Sequence, residues 1–358
     1  MNIEQSSALL LHEVPTPAFL VENGVVTDAN AAAVQNAVTV GSAIADLLET
    51  GKNEYAQLAD GCLYLTLKLE GMTFGASVSR RQGLDLFLLE QEEDASELQA
   101  MALAAQVLRT PLSNVMSVAD RLFPLAGEAE NLEQVARINK GLYQMLRIVS
   151  NMSDAYRYSL ENAPRLEIRD IRAVMAELFA ANSLLIQHAG VELTFDNLPG
   201  SVFCLVDAEK LERAVGNILS NALKFTPKGG TIHASLSRKD RMLYLTVQDS
   251  GTGVPGHLQG NVYNHFQRLP GIEDSRFGIG LGMVLIRSAA SVHGGTVLID
   301  QPEGEGTRIT MTLAIRQDSD PMVHASIISV DYAGGWDRRL LELSDHLPPE
   351  LFSPDKNS

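Results

Sequence analysis

Long apolar runs are absent from this chain. No stretch approaches the roughly 20 residues needed to span a bilayer, and the N-terminus lacks the basic and apolar regions of a signal peptide. A cytoplasmic protein with no membrane partner is expected. Cysteine is scarce: Cys62 and Cys204 lie far apart without metal-ligand spacing, which excludes a disulfide framework and a zinc-ribbon site. Basic residues are also in deficit, 28 Lys and Arg against 44 Asp and Glu. The resulting net charge of -16 argues against nucleic acid as a partner. Finally, residues 94–163 contain no histidine.

What is present is ordinary globular composition, 45% hydrophobic and 20% charged, over a length that accommodates two or three domains. The fold class expected is multidomain α+β. Residues 18–21 and 25–26 are short strands about an Asn23-Gly24 turn, a strong hairpin signal. Alanine-rich helical pieces follow to about residue 59, then strands at 62–69, 72–78 and 84–89, broken by Gly71 and Gly83. Next come two long amphipathic helices. The first carries an apolar seam of Leu98, Met101, Ala105, Leu108, Leu112, Val115, Ala119 and Leu122, with Pro111 predicting a kink beside Gln106 and Pro124 closing the helix. The second repeats the spacing through Val135, Ile138, Leu142, Met145, Val149, Met152 and Tyr156. Such a hairpin pairs with a second one as a four-helix bundle, so a homodimer or heterodimer is expected. From residue 165 on, strands and helices mix as an α/β sandwich, with helices at 171–188, 208–225 and 281–292.

Three polar constellations fall in that last region. Asn217, Asn221 and Lys224 share a helix face, offering amide oxygens suited to Mg2+ and an ammonium suited to phosphate. Asp249, Gly251 and Gly253 end a strand; an ionised carboxylate only accepts hydrogen bonds and suits an exocyclic amine, and the glycines admit a planar base. Gly278, Gly280 and Gly282 open a helix, where free amides face phosphate oxygens. Each alone is weak, since a polar helix face or a glycine turn is commonly just that. In this order they resemble the N, G1 and G2 boxes of the Bergerat-fold (GHKL) ATPases. Gly304, Gly306 and Thr307 are similar to the family's further glycine box, and Phe266 with Arg268 to its F box. The resemblance implies ATP and Mg2+ as cofactors, Asn217 and Asn221 serving the metal.

Asn217 stands where hydrolysing members of that superfamily carry glutamate, as in the histidine kinases. The run from Leu108 to Leu112 resembles the phosphoacceptor box of sensor histidine kinases, and the opening strands with Asn30 look like a PAS sensor. The family organisation implied is a PAS-like sensor at 1–93, a dimerisation hairpin at 94–163, a GHKL ATP-binding domain at 164–316 and a tail at 317–358. The family's histidine position, however, is Gln106, and its acidic position is Val107. An amide nitrogen is delocalised and not nucleophilic, and valine neither orients nor accepts a proton. The expectation is a soluble histidine kinase-like signal-transduction protein that binds Mg-ATP without autophosphorylating, a nucleotide-gated regulator. Two alternatives stay open. One is a kinase or phosphatase acting on a partner such as a response regulator, with Thr110 at the family's phosphatase position; the other is a scaffold that no longer binds ATP. Residues 325–330 in the tail read as a strand and 335–343 as a short amphipathic helix, packing on the chain's own catalytic domain or on a partner.

Overall fold

A computed structural model describes residues 11, 16–90, 93–126, 129–160, 165–253, 281–302, 306–316 and 336–353. The chain opens with β1 (Ala18–Glu22) and β2 (Val25–Ala29), followed by α1 (Ala31–Gln35), α2 (Ile44–Leu47) and α3 (Lys52–Gln57). Strands β3 (Gly61–Leu69), β4 (Met72–Arg81) and β5 (Leu84–Leu89) complete this unit. Its three hairpins turn on Asn23-Gly24, Glu70-Gly71 and Gln82-Gly83, all six residues with positive φ. Two such residues give the turn whose twist matches the flanking strands. Phe19 stacks on Phe87 at 4.7 Å in the core. Asn30 is buried and organises the entry to α1: its Oδ1 accepts from Ala33 N at 2.9 Å and Ala18 N at 3.1 Å, and its Nδ2 donates to the Thr16 carbonyl at 2.8 Å.

Helices α4 (Glu93–Ala126) and α5 (Ala129–Leu160) lie side by side. Helix α4 runs on through Pro111 and Pro124 to Ala126, beyond the stop expected at Pro124. Phe123 is buried there with Val135 and Ala136 of α5, packing that holds the last turn. The expected single seam is split in two. Ala105, Met116, Ala119 and Phe123 are buried, whereas Leu108, Val115 and Leu122 are 42–52% exposed, as are Ile138 and Met145 of α5 at 51% and 48%. One row of α4 serves its neighbour, and a second row at seven-residue intervals does not. The side chain of Leu98 lies outside the described residues.

Beyond the helical pair come β6 (Glu167–Asp170), α6 (Ile171–His188), β7 (Glu192–Asp196), β8 (Phe203–Val206), α7 (Ala208–Phe225), β9 (Thr231–Lys239), β10 (Met242–Asp249), α8 (Leu281–Val292), β11 (Val297–Asp300) and β12 (Arg308–Ala314). Asp170 caps α6 and Asp207 caps α7 through side-chain acceptance of backbone amides. The tail adds α9 (Arg338–Leu343), capped by Asp337, and a 3-10 turn at Pro349–Phe352; residues 325–330 lie outside the described residues. No helix among the described residues is long and apolar enough to cross a membrane.

The strands form one ten-stranded sheet, in the order β2-β1-β5-β4-β3-β11-β12-β10-β9-β7, with β6 and β8 paired apart. The first unit is therefore joined to the last by antiparallel pairing of residues 61–64 with 297–300. Beside that seam Arg287 of α8 sits 2.6 Å from Glu90 and over the Tyr64 ring at 4.2 Å, and Tyr64 donates to Glu90 at 2.7 Å. A second shared core continues from Met116, Leu142 and Leu146 of the helical pair through Leu340 and Phe352 of the tail to Leu211 and Ile218 of α7. Asn30→Ala strips at least four hydrogen bonds from a buried junction and is expected to lower unfolding stability by about 2–3 kcal/mol, measured by urea denaturation.

Candidate nucleotide site

Helix α7 lays Leu211, Val215, Ile218, Leu219 and Ala222 against the sheet. Asn217, one of its polar residues, is 1% exposed. Its Nδ2 donates to the Arg213 carbonyl at 2.9 Å, and its Oδ1 lies so near Gly282, in the first turn of α8, that a Cβ there would stand at 2.8 Å. Asn221 is half-buried, its Nδ2 3.9 Å from Met283 Sδ, and Lys224 places Nζ 5.0 Å from the Phe225 ring.

Asp249 closes β10 almost buried, and Oδ1 accepts from Gly251 N at 2.9 Å and Thr307 N at 3.2 Å. Burial pushes its carboxyl above the usual range, against the pull of these amides. Gly251 and Gly306 answer to the chain itself rather than to a ligand. A Cβ on Gly251 would meet the Phe225 carbonyl oxygen at 2.4 Å, and one on Gly306, φ +105, the Asp249 carbonyl oxygen at 1.9 Å. Gly253 is left-handed at φ +72. Thr307 is buried, and its hydroxyl has no hydrogen-bond partner among the described residues. A buried acceptor-only carboxylate beside an unpartnered hydroxyl fits a ligand edge carrying both donor and acceptor, such as an aminated heterocycle. No group of three His, Cys, Asp or Glu that could hold a metal is found among the described residues. Phe266, Arg268, Gly278, Gly280 and Gly304 lie outside the described residues.

Gln106, Val107 and Thr110 are exposed on α4, Val107 by 74%. The first turns of α8, at Leu281, Val284 and Leu285, pack with Ala155 and Tyr158 of α5, and Met101 joins that cluster five residues before Gln106.

The residues that sequence reasoning missed are charged and buried. Arg213 has no exposed side-chain surface; it bonds Asp154 of α5 at 2.7 Å, Asn151 at 2.8 Å and, closely, Glu342 of the tail. Glu342 also approaches Asn217 Nδ2 at 3.4 Å and crosses α7 where Gly216 has no side chain; a Cβ there would stand 2.7 Å from its Cγ. Arg147 of α5 pairs with Asp345 and lies 3.8 Å from Glu342. Tyr143 meets Trp336 and Phe352 edge-on at 5.7 and 5.1 Å. The available signal was a lone acid among the leucines of α9 and a lone arginine in an apolar row of α5.

A profile of the family described as "Histidine kinase-, DNA gyrase B-, and HSP90-like ATPase" matches residues 206–317, so the class of this region is a GHKL-type ATPase domain. Among curated proteins, the histidine protein kinase DivJ of Caulobacter vibrioides is 29% identical over 245 residues, 66% of this chain and 40% of that protein. The sensor histidine kinase WalK of Bacillus subtilis is 28% identical over 244 residues, 64% of this chain and 39% of that protein. Among solved structures, full-length ShkA in complex with AMPPNP is 22% identical with a TM-score of 0.49, covering 62% of this chain and 47% of that one. Residues 206–317 thus form a domain of that ATPase family, and the chain is similar to sensor histidine kinases over about two thirds of its length. It spans about two fifths of the length of the two curated relatives.

Two histidines near the site are held neutral. His293 is buried with Nε2 accepting from Asp207 N at 2.9 Å and Nδ1 donating to the Ala289 carbonyl at 2.6 Å, and burial lowers its pKa. Burial, and then Arg147, Lys224 and Lys140, bring His346 in the tail down to about 4, with Asp345 opposing. Because both folded values lie below the unfolded ~6.5, the unfolded chain takes up protons first as pH falls. Their stabilisation is complete above ~6.5, and that of His346 is lost between ~6.5 and about 4. Thermal unfolding midpoints should decline through that window, and His346→Gln should make the decline shallower.

Proposed function

We propose that the chain is a Mg-ATP-binding histidine kinase-like regulator that does not phosphorylate its own helical hairpin. The observation that carries this reading is the pairing of an equipped base pocket, Asp249 with the unpartnered Thr307 hydroxyl, with an acceptor helix that presents Gln106 and Val107 to solvent. Neither side chain supplies a nucleophile or a proton acceptor at that turn. Mg2+, when bound with nucleotide, neutralises phosphate charge; the Asn217 and Asn221 amide oxygens are its candidate protein ligands, and Lys224 the candidate phosphate contact.

Residues 1–93 serve as a PAS-like sensor, 94–163 as the dimerisation hairpin, 164–316 as the ATP-binding domain and 317–358 as a tail. The exposed row of Leu108, Val115, Leu122, Ile138 and Met145 is the surface through which a second hairpin completes a four-helix bundle. Nucleotide and sensor state then bias the bundle by differential affinity for its arrangements. A second reading, phosphatase or kinase action on a response regulator, draws on Thr110 being exposed one turn from Gln106.

Incubation with γ-phosphate-labelled ATP and Mg2+ should leave the native chain unlabelled while calorimetry registers nucleotide binding. An acid-labile, base-stable label on the native chain would overturn the reading. Asp249→Asn keeps shape but lets one oxygen donate, and should weaken ATP binding about tenfold or more. The double variant Gln106→His, Val107→Glu should gain the label, and Gln106→His alone should gain little.

A further inference from the structure

We propose that Arg147 is a latch between the helical pair and the nucleotide site: its guanidinium engages the Asn217 amide oxygen and yields it to a divalent cation arriving with nucleotide phosphates. The inference rests on the Mg-ATP reading above and names the residue through which the hairpin feels that site.

Asn217 cannot turn freely. Its Nδ2 is committed to the Arg213 carbonyl at 2.9 Å and faces Glu342 at 3.4 Å, which aims Oδ1 at the start of α8 beside Gly282. That oxygen accepts from a charged group, Arg147 Nη2, at 3.5 Å. A contact of that length is weak and readily exchanged. Arg147 comes from α5, so the contact spans two elements that are 70 positions apart in sequence. It also has somewhere else to lean: it pairs with Asp345, has Glu342 at 3.8 Å, and keeps a buried Nε without a hydrogen-bond partner among the described residues. A cation taking Asn217 Oδ1 would sit beside a guanidinium of like sign, so occupancy of that oxygen is a choice between the two. Cation binding thereby shifts Arg147 toward the tail carboxylates, and a hairpin arrangement that withdraws Arg147 frees the oxygen for the cation.

The test is calorimetric binding of a non-hydrolysable ATP analogue to the full chain, with and without Mg2+, giving the ratio of the two affinities. Arg147→Met should raise that ratio about fivefold or more while leaving Mg-free affinity unchanged. Asp345→Asn leaves the guanidinium less compensated and should lower the ratio, a change of opposite sign that simple destabilisation does not produce. Emission from Trp336, the one tryptophan, set against Tyr143 where tail meets hairpin, should shift on adding Mg-nucleotide to the native chain and not to Arg147→Met. Binding that weakens equally with and without Mg2+ in Arg147→Met would make Arg147 a phosphate ligand and overturn the latch. An unmoved ratio in chains that bind nucleotide overturns the latch alone. Absence of nucleotide binding by the native chain overturns the functional reading and the latch together.

Discussion

A guanidinium with no surface in water constrains most of this molecule. Removing a charge such as that of Arg213 from solvent costs several kcal/mol unless carboxylates and hydrogen bonds compensate it. Two carboxylates that bond it directly lie outside helix α7. Asp154 comes from α5 and Glu342 from the tail, so the ATPase helix, the helical pair and the C-terminal segment share one buried ion cluster. The helix bearing Asn217 and Asn221 thus has its outer face defined by two elements outside the ATPase sandwich. Gly216 belongs to the same arrangement, because only a residue without a side chain lets Glu342 cross there.

Helix α8 carries two kinds of contact on one rigid rod. Gly282 in its first turn lies against Asn217, while Arg287 pairs with Glu90 at the seam with the first sheet unit. Five residues of α-helix separate them, a rise of about 7.5 Å. A displacement at the glycine end is felt at Glu90 without passing through the long helices.

Much of this was legible in sequence where local chemistry decides. The Asn23-Gly24 turn and the breaks at Gly71 and Gly83 followed from residue type, and the helices expected at 171–188, 208–225 and 281–292 stand at those bounds. The split seam was not legible, because a heptad pattern does not say which of two adjacent rows meets the neighbouring helix and which is left over. Nor was the β3–β11 pairing: backbone hydrogen bonding at a sheet edge leaves almost no trace in residue choice. The buried charges of Arg213, Arg147 and Glu342 looked like ordinary polar positions on helices, since burial is a property of what covers a residue. The glycines misled in another way. Gly251 was read as room for a base and Gly306 as part of a further glycine box, and both are room for the chain's own carbonyls.

The β3–β11 pairing closes a circuit. From Glu90 the chain runs out along α4, back along α5 and through the ATPase strands to β11, where it meets β3 again. Such a circuit behaves as a linkage with fixed perimeter: no member tilts alone, because the others must absorb the displacement. The β3–β11 joint is four residue pairs wide, as is the adjoining β11–β12 pairing, against nine between β3 and β4 and eight between β9 and β10. Displacement of β11 is therefore borne by two short seams, its pairings with β3 and with β12.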